Sequence, residues 1–197
     1  VVNPFQIACA LGLALVLNRV LPAGPLWRTL ILLPVAVPQS VSAIIMGVVF
    51  RPDGPANAVL ATIGLPAQGF LTTPEQAIYT IILILSWVGV GYWTTFLLAG
   101  LQEIPAALYE AAAIDGASAW QQLRYVTLPQ LRRPLTFVLV ADTVANFLVF
   151  APVQILTKGG PQGSTNLVMN DIYTRGFLSG DMRGAAAETA ILVAIVM

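Results

Sequence analysis

Gln76-Ala77-Ile78-Tyr79-Thr80-Ile81-Ile82-Leu83-Ile84-Leu85-Ser86-Trp87-Val88-Gly89-Val90-Gly91-Tyr92-Trp93-Thr94-Thr95-Phe96-Leu97-Leu98-Ala99-Gly100-Leu101-Gln102 runs from Glu75 to Glu103 without one charged residue. A helix needs about 20 mostly apolar residues to cross the hydrocarbon of a bilayer, and this stretch exceeds that length. Its apolar residues are consecutive. A barrel strand would alternate polar and apolar at every second position. Three more such runs flank it: Val1 to Asn18, Thr29 to Phe50, and Pro134 to Thr157, the last interrupted by Asp142. A fifth begins at Gly184, carries Glu188 near its start and continues to Met197. The expected fold is therefore all-α, a polytopic transmembrane helical bundle.

Composition agrees. Hydrophobic residues make up 57% of the 197 and charged residues 9%, with 9 basic and 9 acidic side chains. Soluble domains carry roughly 25% charged residues. So neutral a surface excludes a nucleic-acid partner, which requires a basic face against phosphates. The chain contains no His, a single cysteine (Cys9) and a single lysine (Lys158). Histidine triads, a cysteine-rich metal site and an internal disulfide are thereby excluded. Lys158 precedes Gly159-Gly160-Pro161, so the chain holds no phosphate loop of the G-x-x-x-x-G-K-[ST] form, and ATP chemistry is expected elsewhere. The sequence opens without Met and stops inside an apolar run, which reads as a fragment cut at both ends. No basic residues precede the first apolar run, so it is not a secretory signal.

Within the spans, Pro34 and Pro38 are expected to kink the second one. Gly89, Gly91, Ala99 and Gly100 permit close helix contact in the third. Asp142 is the one acid deep in a span, and an intramembrane charge faces a partner or a cavity. Asn146 lies four residues on and shares its face, and Gln154 lies further along roughly the same side. With Trp87, Tyr92 and Trp93 as stacking surfaces, these side chains form either a solute path or a hydrogen-bond network between helices. Trp27, Tyr79, Tyr173 and Phe177 fall near predicted interfaces, as an aromatic belt. Segment 53–73 reads as a loop with a short helix.

The connections 18–28 and 102–133 share one side of the membrane, and 51–75 and 158–183 the other. The first side holds Arg19, Arg28, Arg124, Arg132 and Arg133; the second holds Arg51, Lys158, Arg175 and Arg183. Five against four leaves the orientation open under the positive-inside rule.

Connection 102–133 reads as two short helices and a tight turn. Pro105 suits a first helical turn, and the alanines after it favour helix. Gly116 suits the stop, and Ser118 can cap a second helix. Pro129 and Pro134 are expected to break the chain before the fourth span. A hairpin of small residues bearing Glu110 and Asp115 suits docking to partner arginines. An interfacial helix lying on the membrane is the alternative, weakened by the scarcity of basic residues.

Glu110-Ala111-Ala112, then Gly116, then Val126-Thr127-Leu128-Pro129 resembles the EAA loop of bacterial ABC-importer permeases, E-A-A, three residues, G, nine residues, I-x-L-P. Val126 in place of Ile is the one departure. Trp27-Arg28-Thr29-Leu30 with Leu33-Pro34 resembles the entry to a family span, and Gly100-Leu101-Gln102-Glu103-Ile104-Pro105, Tyr109-Glu110-Ala111-Ala112 and Leu156-Thr157-Lys158-Gly159-Gly160-Pro161 are similar to the sugar-type subgroup. The resemblance covers almost the whole chain and implies a type I importer permease for a sugar or glycerol-phosphate solute. It further implies one permease domain over 1–197, holding roughly the second to sixth core spans, with 102–133 as its cytoplasmic EAA loop. Implied partners are a second, related permease, two cytoplasmic ATPase subunits that carry the ATP and Mg, and an extracytoplasmic solute-binding protein. The chain itself would bind no cofactor and catalyse no reaction, and it would sit as a multi-pass protein in the bacterial cytoplasmic membrane. By the same carry-over, Glu110, Ala111, Ala112 and Gly116 form the coupling helix and turn, with Asp115 and Ala117 beside the turn. Val126, Leu128 and Pro129 anchor the loop to the bundle. Rival functions are an ion-coupled secondary transporter, which has no use for such a loop, and a membrane-embedded enzyme, for which no catalytic cluster is visible.

Overall fold

The computed structural model describes residues 2–18 and 24–197. Arg19, counted above in the charge balance, lies outside them. In chain order the helices are α1 (Val2–Leu17), α2 (Gly24–Ala36), α3 (Gln39–Val49), α4 (Pro55–Thr62), α5 (Pro74–Gln102), α6 (Ala106–Ile114), α7 (Ala119–Gln122), α8 (Leu128–Gln130), α9 (Arg132–Phe147), α10 (Ala151–Leu156), α11 (Val168–Tyr173) and α12 (Met182–Val196). A 3₁₀ turn spans Phe70–Thr72, and π-helical turns span Leu123–Thr127 and Thr174–Leu178. No strand occurs among the described residues.

Of the five expected spans, two are long apolar helices among the described residues and the others differ in length or continuity. Pro74–Gln102 and Arg132–Leu156 are long and apolar enough to cross a membrane; α1 is apolar but shorter. The second expected span is two helices rather than one kinked helix. Pro38 is the N-cap of α3, with φ −53° and ψ 139°. It supplies no amide and pushes the preceding residue out of the helical region, so the chain breaks there. Pro34 stays inside α2. The fourth span is interrupted between Phe147 and Ala151, and Phe150 takes φ −130°, ψ −62°. The register that placed Gln154 on the face of Asn146 is therefore lost. The last span starts at Met182, earlier than its charge-free stretch, because the Asp181 carboxylate caps it by accepting the Gly184 amide at 2.9 Å.

Two compact units are described separately. The first comprises residues 1–36 and 88–143. Its core joins Ala10 and Ala14 of α1 to Trp93, Leu97 and Leu101 of α5, and to Leu131 and Val138. The alanines, four residues apart, give α1 a shallow stripe, and Thr94 Oγ1 reaches across it towards the Ala10 carbonyl at 3.3 Å. Gly91 and Gly100 are the close-contact positions. A Cβ on Gly91 would lie 2.5 Å from the Ile31 carbonyl oxygen, and one on Gly100 would lie 2.7 Å from Pro134 Cγ. Ala99, expected to serve the same purpose, is exposed instead. Gly91→Ala is expected to cost about 1–3 kcal/mol, because backbone cannot yield as a side chain end can. A lowered midpoint of thermal unfolding in detergent would register it.

The second unit comprises residues 37–87 and 144–197. Here α3 packs on α10, with Gly47 against Leu156. Ile81, Val149 and Val153 form the core. Segment 53–73 is a loop carrying α4, as expected. Buried Asn57 ties it together: its Nδ2 donates to the carbonyls of Pro52 and Gln68 at 2.9 Å each, and its Oδ1 accepts the Gln68 amide at 2.8 Å. Three satisfied bonds explain why a buried amide is tolerated.

The outer faces carry many exposed apolar side chains, including Phe5, Leu30, Ile44, Val140 and Ile191. Water would penalise such faces, whereas lipid does not. Trp27, Tyr79 and Phe177 are exposed, in keeping with a belt, and Tyr173 packs between Phe150 and Phe177 with centroids 5.1 and 5.4 Å away.

In segment 158–181, Arg175 Nε pairs with Asp171 at 3.0 Å and Glu188 at 2.9 Å. The hydrogen bond from Asn166 and the charge of Arg175 hold the Asp171 carboxyl below its ordinary value of 3.8, against the opposing effect of burial. A lowered folded-state pKa gives a stability contribution that is present above the unfolded value and lost as pH falls through the folded one. Asp171→Asn is thus expected to lower the unfolding midpoint at neutral pH. The difference from wild type should shrink as pH falls below 3.8, as parallel melts across pH would show.

Candidate functional site: a capped helical hairpin and a buried carboxylate

The hairpin expected over 102–133 is formed. Pro105 is the N-cap of α6 rather than a member of its first turn, with φ −60° and ψ 132°. At the other end the Gly116 amide donates to the Ala113 carbonyl at 3.0 Å, and the Ala117 amide to the Ala112 carbonyl at 2.9 Å. Gly116 sits at φ +77°. This pair of bonds with a left-handed residue is a Schellman stop, and it requires a residue that tolerates positive φ. Ser118 then opens α7 with a capping box: the Gln121 amide donates to Ser118 Oγ at 3.4 Å, and the Ser118 amide to Gln121 Oε1 at 2.7 Å. Turn and caps thus satisfy the backbone on both sides of the reversal.

Beyond α7 the chain does not break at its prolines as expected. A π-helical turn carries it from Leu123 to Thr127, and the Leu128 amide reaches the Leu123 carbonyl. Widening the turn makes room for the Pro129 ring, which would otherwise crowd the preceding carbonyls. Pro134 lies within the first turn of α9, where its missing amide costs nothing.

The anchoring residues differ in part from the motif. Val126 and Leu128 are half-buried and Pro129 is exposed. Thr127 and Leu131 are the buried ones. Tyr109 Oη and Thr127 Oγ1 lie 3.0 Å apart and tie the first leg to the second. Neither hydroxyl stood out in the sequence, since the apolar pattern draws attention to the neighbours of Thr127. Tyr109→Phe is expected to loosen the hairpin by about 1 kcal/mol. Faster amide exchange in α6 than in α5 would report it.

No residue of α6 is buried. Glu110, Ala111, Asp115 and Gly116 are exposed, while Ala112 and Ala117 are partly covered. Ile114 is 86% exposed, and Trp120 and Tyr125 are also open. Acids, small residues and large apolar tips on one short hairpin make a surface suited to a protein partner.

Asp142 and Trp93 are brought together. Asp142 is 2% exposed and Trp93 6%. The indole Nε1 donates to Asp142 Oδ1 at 2.7 Å, linking α9 to α5. The short distance and the burial of both partners make this a strong bond. Asn3 Nδ2 donates to Thr143 Oγ1 at 2.8 Å beside it, tying in α1. Tyr92 is exposed and packs edge-on against Trp93, with centroids 4.8 Å apart. Trp87, Asn146 and Gln154 belong to the second unit, where Trp87 is exposed and the two amides are half-buried. No group of three or more metal-ligating side chains occurs among the described residues.

Comparison with known proteins bears on this geometry directly. Residues 6–197 match the family described as binding-protein-dependent transport system inner membrane component. The chain belongs to that family. It is 37% identical over 159 residues to the trehalose/maltose transport system permease protein MalF of Thermococcus litoralis, covering 80% of this chain and 54% of that one. It is 35% identical over 190 residues to the sn-glycerol-3-phosphate transport system permease protein UgpA of Yersinia pestis, covering 95% and 64%. The chain thus spans a little over half to about two thirds of the length of these relatives. A bacterial alginate ABC transporter, crystallised with an alginate pentasaccharide-bound periplasmic protein, contains a chain that superposes with a TM-score of 0.89 at 26% identity. That match covers 98% of this chain and 69% of the other. As a member of this inner membrane family, the chain has the all-helical fold that its sequence implied.

Proposed function

We propose that the chain is a membrane-spanning subunit of an ATP-driven, binding-protein-dependent importer for a sugar or glycerol-phosphate type solute. The observation that carries the proposal is the hairpin. The residues of the EAA pattern occupy a Schellman-closed, box-capped reversal whose first helix has no buried residue. The names of the relatives support the solute class. In this reading residues 1–197 act as one permease domain of the inner membrane, and 102–133 faces the cytoplasm. An ATPase subunit docks on Glu110, Ala111, Ala112, Asp115, Gly116 and Ala117, and a second ATPase subunit serves a related partner permease. ATP and Mg reside on the ATPase subunits. An external binding protein delivers solute.

Closure of the ATPase dimer moves the docked hairpins together, and the helices rock between inward- and outward-facing packings. ATP shifts that equilibrium only by its differential affinity for the two states. Tyr92, Trp87, Asn146 and Gln154 retain the exposure that solute contact requires and are proposed for the path. Asp142 and Trp93 are proposed to fix α5 to α9 rather than to contact solute. Proteoliposomes containing the full complex, with internal ATP and no ion gradient, are expected to accumulate solute. Accumulation that instead requires an ion gradient would favour a secondary transporter.

A further inference from the structure

The ends of the two longest apolar helices meet around a cavity of about 440 Å³ lined by Gly100, Glu103, Pro129, Arg132, Arg133 and Pro134, among others. The spanning segments are Pro74–Gln102 and Arg132–Leu156. The cavity lies where Glu103, Arg132 and Arg133 end the charge-free runs of both helices, which suits headgroup depth. Its lining includes two arginines and one glutamate. Among the described residues the ion pairs involve Arg175, not Arg132 or Arg133. The site has an unspent positive charge and the planar donors that suit phosphate oxygens.

The surface one helical turn deeper is of another kind. Phe96 stands four residues before Gly100, and Phe137 four residues after Arg133, so each continues the face of its helix that lines the cavity. Their rings touch, with centroids 5.6 Å apart, and they remain 37% and 54% exposed. A cationic cavity at headgroup depth over an aromatic patch at acyl depth matches an amphiphile with a phosphate head and a hydrocarbon tail.

We propose that this cavity binds the phosphate of an anionic phospholipid, with an acyl chain lying along Phe96 and Phe137. Arg132 and Arg133 hold the phosphate, and Gly100, pressed against Pro134, keeps the two helix ends close enough to form the floor. Glu103 opposes the charge and sets the affinity below that of an all-basic site. The proposal rests on the membrane placement of the chain, not on its being an importer.

The test uses the full-length chain in its membrane complex. The complex is reconstituted into nanodiscs of equal phosphatidylglycerol and phosphatidylcholine, released in mild detergent, and weighed by native mass spectrometry. The wild type is expected to retain phosphatidylglycerol over phosphatidylcholine by roughly tenfold or more, the effect of two arginines near a membrane surface. R132Q/R133Q should abolish the preference, R132K/R133K should keep most of it, and E103Q should raise it. Equal retention of the two lipids by the wild type overturns the proposal. So does a preference that survives R132Q/R133Q. Loss of bound phosphatidylglycerol to excess inorganic phosphate would mean that a free anion is the ligand and would overturn the lipid assignment. A disulfide from R133C to an engineered cysteine on another subunit would show the cavity filled by protein, with the same consequence.

Discussion

Gly116→Arg is expected to abolish solute uptake while leaving the protein in the membrane at normal abundance. Gly116 lies at φ +77°, and a Cβ there meets nothing within 4 Å. The substitution creates no clash inside the chain. It costs about 1–2 kcal/mol of backbone strain, spread over a hairpin whose two caps are otherwise intact. The larger effect is outward: a long cation stands on the reversal between Ala112 and Ser118, where the proposed ATPase subunit docks. Loss of about 2 kcal/mol or more at the centre of an interface weakens docking roughly thirtyfold. Uptake into vesicles and ATP hydrolysis by the complex should be measured together. Uptake should disappear while hydrolysis persists or escapes control by solute. Gly116→Ala separates the two effects, since it keeps the strain without the cation, and uptake should be only partly reduced. Full uptake by the arginine variant would remove the hairpin from the coupling role.

Trp93→Phe carries the second large effect, on stability. The phenyl ring fills most of the indole volume but cannot donate, so the buried Asp142 carboxylate loses its 2.7 Å bond. Removing a donor from a buried acceptor costs about 1–3 kcal/mol. The position joins α5 to α9 within the core of the first unit, so the loss should be global there and visible as a lower unfolding midpoint. Asp142→Asn keeps an acceptor oxygen of the same size and should cost less than Trp93→Phe. It should leave the solute KM unchanged, because a side chain 2% exposed and bonded to tryptophan has little left to offer a solute. A large rise in KM with an unchanged unfolding midpoint would return Asp142 to the solute path.

Much of the hairpin was legible because its rules are local. Gly116 at a positive φ and Ser118 before a helix obey constraints set within a few residues. The long apolar run of α5 was legible for the same reason: length and the lack of charge decide its environment. Pro129 shows where local reading fails. Proline signals a break when only the α geometry is considered, yet a π turn upstream absorbs its ring and the chain continues. Tyr109 and Thr127 lie eighteen residues apart, and nothing in the pattern announces that their hydroxyls meet.

The sequence by itself determined that this chain is a helical membrane protein with a capped hairpin, and its EAA pattern pointed to the permease family. These follow from composition, span length and turn chemistry, which act over a few residues. The tertiary structure alone decided which polar groups face each other. Asp142 was readable as serving a solute or a neighbouring helix, and its bond to Trp93 exists only because packing brings the two alongside. The same packing placed Gly91 beneath the Ile31 carbonyl, left Ala99 on the outside, and gathered Arg132 and Arg133 around a cavity. Side-chain partnership across helices depends on crossing and rotation, which periodicity along one helix does not encode.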